Sequence, residues 1–142
     1  MTKIVYCYVV ADLLHTGHLL FLENAKALGD KLIVGVLTEA AVMEKKSKPT
    51  LSFEERLRLV QSLKCVDCAV TQHTYSPIEN LKAIKPDIHI ESSSHTDKDL
   101  EEINKVCKLY NIKVVKMPYY SEQSSTKIKE DIKNESSKKC NF

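Results

Sequence analysis

The chain has 142 residues, of which 43% are apolar and 28% charged, and its formal net charge is +2. That length can bury a real core in one domain without disulfides, and the composition is that of a globular protein. The charge is too small to argue for nucleic acid by bulk electrostatics, and no apolar run approaches the ~18 residues needed to span a membrane. Met1-Thr2-Lys3-Ile4 leads straight into a strand pattern with no secretory signal, so the expected location is the cytoplasm. Five cysteines (7, 65, 68, 107 and 140) are odd in number and irregular in spacing, which does not read as a secreted disulfide framework.

Lys3–Val10 is apolar and β-branched, the pattern of a buried parallel strand. Ala11-Asp12-Leu13-Leu14-His15-Thr16-Gly17-His18 follows as a tight turn, and Leu19–Leu28 then has helical spacing, with Gly29 expected at C′. Lys31–Leu37 reads as a second strand, completing a βαβ unit. Thr38–Met43 suits a short helical turn, and Glu44-Lys45-Lys46-Ser47-Lys48-Pro49 a basic loop. Ser52 and Glu55 form a capping box for a helix carrying Leu57, Val60 and Leu63. Cys65–Thr71 is the third predicted strand. Ser76-Pro77-Ile78-Glu79 reads as a second capping box, for a helix ending near Ile84 before Pro86. Asp87–Glu91 is the fourth strand, Ser92–His95 a polar loop, Asp97–Tyr110 a helix and Ile112–Met117 the fifth strand. Ser124-Ser125-Thr126 opens a last helix, Lys127–Lys133. Residues 1–134 are thus expected to form one domain and 135–142 a polar tail.

Alternating strands and helices predict an α/β, Rossmann-like domain with a five-stranded parallel sheet and helices on both faces. Ligands of such sheets bind at the C-terminal strand edges. The turn at residues 11–18, the basic loop, Ser92–His95 and Ser124–Thr126 should therefore converge. A strand, a tight turn and a helix start place unpaired N–H groups and the positive helix end at one point, and two imidazoles there can donate hydrogen bonds to phosphoryl oxygens. His15 and His18 lack an obvious third ligand for zinc, so no metal site is assigned to them. Plainer readings stand beside the functional ones. Lys45, Lys46 and Lys48 can be a solvated loop, Arg56 an exposed partner of a glutamate, and Cys65 and Cys68 free thiols rather than a redox pair.

The pieces at 11–18, Leu-Gly-Asp-Lys-Leu-Ile-Val-Gly-Val-Leu-Thr at 28–38, Ser-Phe-Glu-Glu-Arg at 52–56 with Val66-Asp67, and Ser-Ser-Thr-Lys-Ile-Lys at 124–129 carry a resemblance. Over roughly residues 3–133 the chain resembles the HxGH nucleotidylyltransferase superfamily, most of all its small cytidylyltransferases of the glycerol-3-phosphate and phosphonate types. The resemblance implies transfer of CMP from CTP to a small phosphate or phosphonate acceptor, with release of pyrophosphate and Mg²⁺ bridging the triphosphate oxygens. Its alternatives are an adenylyltransferase using ATP, similar to the ADP-heptose synthase or FAD synthase types, and a catalytically weak nucleotide-binding module. It implies that His15, His18 and Lys46 (or Lys45) serve catalysis. It places Val9, Val10, Asp12, Arg56, Ser92, Ser124, Ser125 and Thr126 with the two histidines around the nucleotide. Asp12 would orient the loop or help hold the metal, and the implied assembly is a homodimer.

Three segments depart from the family pattern. Val9-Val10-Ala11-Asp12 stands where Gly-Thr-Phe-Asp or Ser-Ala-Asp is usual, and Ser92-Ser93-Ser94-His95 where Gly-Asp-Asp-Trp is usual. Tyr119-Tyr120-Ser121-Glu122-Gln123-Ser124 replaces Arg-Thr-Glu-Gly-Ile-Ser or its tyrosine variant. The phosphate-handling residues are kept, and the segments that usually read base and acceptor are altered.

Overall fold

A computed structural model describes residues 2–118. The expected helix at Lys127–Lys133, its opening at Ser124–Thr126, the segment Tyr119–Gln123 and the tail at 135–142 lie outside the described residues. Five strands, β1 (Ile4–Val9), β2 (Lys31–Leu37), β3 (Cys68–Gln72), β4 (Ile88–Ser92) and β5 (Lys113–Met117), pair in parallel in the order β3-β2-β1-β4-β5. The connecting helices are α1 (Thr16–Lys26), α2 (Glu39–Met43), α3 (Phe53–Gln61), α4 (Ile78–Ile84) and α5 (Glu101–Leu109). The order reverses between β1 and β4, and that reversal opens a crevice at the carboxyl ends of the two strands.

Strand alternation divides the core into two layers. Val5, Cys7 and Val9 of β1 pack with Phe21, Leu22 and Ala25 of α1 and Val60 of α3 on one face. Tyr6 and Tyr8 point the other way, toward Leu81 of α4 and Ile103 and Cys107 of α5. Helices therefore cover both faces, as expected. Gly35 of β2 is needed on the second face. A Cβ there would overlap the Tyr6 hydroxyl and stand 2.9 Å from Gln72 Oε1. That hydroxyl donates to Gln72 Oε1 and accepts from Asn80 Nδ2. Gly35→Ala is expected to cost about 2 kcal/mol by overpacking a filled core. Urea denaturation checks this, and an unchanged midpoint would contradict it.

Several local expectations are corrected. Helix α1 starts three residues before Leu19, because His15 caps it. Gly29 is not a left-handed cap: the cap is Ala27 in the right-handed region, and no glycine has positive φ. Gly29 is required for space instead, since a Cβ would stand 2.7 Å from Val5 Cγ2 and 2.9 Å from the Lys3 carbonyl. The second capping box does not form. Pro77 is the N-cap of α4 with no side-chain cap bond, and the helix ends at Lys85 with φ 50. Strand β3 begins at Cys68, not Cys65, because the Asp67 carboxylate first takes the Leu32 amide at 2.8 Å and holds the turn. Helix α5 starts at Glu101. Thr96–Asp99 forms a separate turn, tied by the Asp99 carboxylate to the Thr96 amide and hydroxyl. The Ser52 cap on the Glu55 amide is present, at 3.2 Å.

Candidate active site

Two strained residues open the site. Ala11 and Leu13 both have left-handed backbones, at φ 58 and 56, unusual outside glycine. The groups around them hold that turn. The two carboxylate oxygens of Asp12 accept from the Thr50 and Leu51 amides, both at 2.9 Å, clamping the turn to the far end of the basic loop. Asp12 is 5% exposed, and these two bonds tie it to the loop.

Arg56 stands apart from its expected place beside the nucleotide. Its side chain is fully buried, and Nη1 donates to the carbonyls of Val10 at 2.9 Å and Leu37 at 2.6 Å, while Nε donates to Leu51 at 3.2 Å. One guanidinium therefore joins the ends of β1 and β2 to the start of α3. Only a long, multiply donating cation can satisfy three separated carbonyls in this way.

Helix α1 begins with both histidines serving as caps. His15 Nδ1 accepts from the Gly17 amide at 3.0 Å, and His18 Nδ1 accepts from the His15 amide at 3.3 Å. A ring nitrogen that accepts carries no proton, so in both neutral rings the proton sits on Nε2. The rings lie 4.0 Å apart, centroid to centroid, and His15 Nε2 is buried with no hydrogen-bond partner among the described residues. Burial pulls the His15 pKa down. Burial first, and the neighbouring His15 second, lower His18 to about 4. Of the two neutral rings at the helix N-terminus, His18 borders the cavity and His15 is packed behind it.

The shift at His18 has a sign. An unfolded histidine takes its proton near 6.5, but the folded ring resists until about 4, so folding is favoured above the unfolded value. Stability from this group is complete above pH 6.5 and is lost as pH falls toward 4, by on the order of 3 kcal/mol. Urea midpoints across that window should fall, and His18→Asn should flatten part of the slope. An unchanged slope in the variant would contradict the assignment.

These groups border a cavity of about 340 Å³ over the β1–β4 crevice. Val9, Val10, Asp12, His18, Lys46 and Ser92 all line it, bringing together most of the described candidate residues. His15 sits behind His18, and Arg56 lies beneath the floor. Lys46 and Lys48 are lysines of the cavity wall, and Lys45 Nζ stands 5.0 Å above the ring of Tyr75, itself a lining residue. Ser92 Oγ bonds Ser94 Oγ at 2.8 Å, and the Ser93 amide is held by the Met117 carbonyl. Three of the four predicted segments therefore meet at one edge, and the fourth lies outside the described residues.

Sequence reasoning placed Ser92–His95 at this edge but missed Glu91 and the partners that hold it. Glu91 is 1% exposed and accepts from Tyr8 Oη at 2.7 Å, His89 Nε2 at 2.7 Å and His95 Nδ1 at 2.9 Å. Burial alone would raise its pKa; the bonds from His89, His95 and Tyr8 outweigh burial and hold it at about 2. The His89 ring is stacked with that of Tyr6 and with that of Tyr8, each pair with centroids 5.9 Å apart. The available signal was His-x-Glu in a strand, which sets both side chains on one face.

Among the described residues no group of three or more His, Cys, Asp or Glu could hold a metal, and Cys65 and Cys68 are free thiols. No helix among them is long and apolar enough to cross a membrane.

Comparison with known proteins agrees with this architecture. The chain is 41% identical over 100 residues to the bifunctional protein HldE of Helicobacter pylori (strain G27), a match over 69% of this chain and 22% of that relative. The Helicobacter hepaticus protein of the same name is 33% identical over 133 residues, 92% of this chain and 27% of its own length. The chain thus spans about a quarter of these relatives. The crystal structure of a lipopolysaccharide core biosynthesis protein from Thermoplasma volcanium superposes with a TM-score of 0.76 at 30% identity, covering 84% of this chain and 99% of that one. The cytidylyltransferase-like family model matches residues 7–131, nearly the whole length from β1 onward, and the chain belongs to that family of nucleotidyltransferases.

Proposed function

We propose that the protein transfers a nucleotidyl group from a nucleoside triphosphate to a phosphorylated acceptor. An acceptor oxygen forms a bond to the α-phosphorus, the bond from that phosphorus to the β-phosphate oxygen breaks, and pyrophosphate leaves. The observation that carries this reading is the reciprocal histidine cap at a helix N-terminus, which sets the proton of the cavity-lining His18 on Nε2, with His15 packed behind it. Preorganised neutral donors suit charge that develops on phosphoryl oxygens, and they need no reorganisation as the bond breaks. Lys46 and Lys48, from the loop after α2, add positive charge to the cavity wall, where they would meet the triphosphate and the acceptor phosphate. Mg²⁺ would enter with the triphosphate, held mainly by its oxygens, and would neutralise charge on the leaving pyrophosphate. Asp12 is the carboxylate nearest that end in sequence, and its bonds to Thr50 and Leu51 give it an orienting task.

Likeness to a lipopolysaccharide core biosynthesis protein favours a sugar phosphate as acceptor. With it comes the adenylyltransferase alternative, of the ADP-heptose synthase type, ahead of CTP. Calorimetric titration with ATP and CTP in Mg²⁺, then pyrophosphate release with a panel of sugar phosphates, tests this. Tighter ATP binding with turnover supports the ATP reading. Turnover with CTP alone returns the glycerol-3-phosphate or phosphonate type. Binding without pyrophosphate release on any acceptor supports a nucleotide-binding module.

A further inference from the structure

Lys46 and Lys48 stand on a weak support. Helix α2 has five residues, too few for helix formation alone to hold it, and residues 43–48 are exposed. Asp12 holds the far end of their loop at the Thr50 and Leu51 amides, both at 2.9 Å. The near end is only as fixed as α2 itself. Helix α2 is tied to the end of β3 and to the turn that follows it.

We infer that Gln72 is a positioning residue that sets the near end of the lysine loop. Gln72 ends β3, is 1% exposed and does not line the cavity. Its main-chain carbonyl accepts from the amide of Thr38, the N-cap of α2, at 3.1 Å. Its side-chain Nε2 donates to the carbonyls of Thr74 at 3.1 Å and Tyr75 at 3.2 Å, which fixes the turn after β3. The Tyr75 amide in turn donates to Oε2 of Glu44, the C-cap of α2, at 3.0 Å. Tyr75 also packs against Leu37, Ala41 and Val42, and Lys45 Nζ stands over its ring. One residue therefore ties α2 at both ends, once through its main chain and once through its side chain. The Gln72 amide has a single workable orientation. Carbonyls only accept, so the Nε2 protons must face Thr74 and Tyr75, and Oε1 must find a donor. Tyr6 Oη is that donor, and it accepts in turn from Asn80 Nδ2. Glutamate in this place would set acceptor against acceptor at the same shape, and methionine would offer the two carbonyls no proton.

The positioning role rests on the reading of Lys46 and Lys48 as phosphate-binding groups, and one arm of the test stands without it. Trypsin digestion of the folded full chain at neutral pH, followed by mass spectrometry, gives the rates of cleavage after Lys45 and Lys46, with the exposed Lys105 of α5 as reference. Gln72→Met and Glu44→Ala should each speed cleavage at the loop about 10-fold, as for one or two lost hydrogen bonds, and leave Lys105 unchanged. The double variant should be no faster than the faster single one, because both act through the Tyr75 turn. In the second arm, pyrophosphate release is followed with ATP or CTP, whichever turns over. The KM of the nucleotide should rise about 10-fold in Gln72→Met with kcat within about 3-fold, the pattern of weakened binding. Gln72→Glu should match Gln72→Met, since both lose the two donated bonds. Unmoved loop rates in Gln72→Met and Glu44→Ala overturn the inference, as do rates that multiply in the double variant or equal acceleration at Lys105. Should Gln72→Met not fold, Glu44→Ala breaks the same tie at an exposed side chain and decides the protease arm alone. A loosened loop with an unmoved KM overturns the positioning role and leaves nucleotidyl transfer standing. Absence of release from the intact protein removes the reading beneath, and the trypsin rates still decide whether Gln72 holds the loop.

Discussion

His18→Asn is expected to lower kcat by about 10²–10³-fold, the cost of removing one preorganised donor from developing charge. Asparagine separates the two tasks of the residue. Its carbonyl can still accept from the His15 amide, as His18 Nδ1 does at 3.3 Å, but it has no group that reaches where Nε2 points. The helix start should therefore survive, read as an unchanged far-ultraviolet spectrum and a melting temperature close to that of the parent at pH 7.5, where the ring is neutral. KM for the nucleotide should change far less than kcat, because a contact strengthened in the transition state is lost from the rate. A folded variant within about 3-fold of the parental rate would mean that the buried imidazole pair is only a cap.

The second large effect falls on a residue that touches no ligand-facing surface. Arg56→Ala is expected to destabilise the fold by on the order of 4 kcal/mol. It would empty a fully buried site and strand the carbonyls of Val10, Leu37 and Leu51. Arg56→Lys should recover only part of this, since one ammonium lacks the planar fork that spans three acceptors. Urea denaturation of both variants is the measurement. The strained residues Ala11 and Leu13 are linked to this hub through Val10 and through Leu51, so activity in Arg56→Lys should fall more than its stability does. A loss below about 1 kcal/mol in Arg56→Ala would show that the three carbonyls find other donors.

The sheet was legible because its strands announce themselves by composition. Lys31–Leu37 matches β2 residue for residue, and the two-sided burial of Val5, Cys7 and Val9 against Tyr6 and Tyr8 follows from period-two alternation. Helix starts were harder to read where the cap is an unusual residue. Histidine is a rare N-cap, so the apolar spacing beginning at Leu19 concealed a start at Thr16. The strand–turn–helix unit that carries His15, Gly17 and His18 was legible because its three parts are contiguous in sequence.

Two other parts of the site depend on tertiary placement. An arginine in a helix reads as exposed by default; its burial at Arg56 is imposed by three carbonyls that meet it only in the folded chain. Glu91 ends the strand read over Asp87–Glu91, and its partner Tyr8 lies 83 residues away. No local pattern joins them. Positions Ser92 and Lys46 were recognised by resemblance and do reach the cavity, but their neighbours Tyr75, Glu91 and His95 complete its walls.

The central claim, transfer of the α-phosphoryl nucleotidyl group, is tested most directly by following isotope position. ATP and CTP labelled at the α-phosphorus or at the γ-phosphorus are incubated with the protein, Mg²⁺ and a panel of sugar phosphates. The α label is expected in the acceptor product and the γ label in pyrophosphate. Appearance of the γ label on the acceptor, or of free phosphate with a nucleoside diphosphate, would place the attack at the wrong phosphorus and contradict the account.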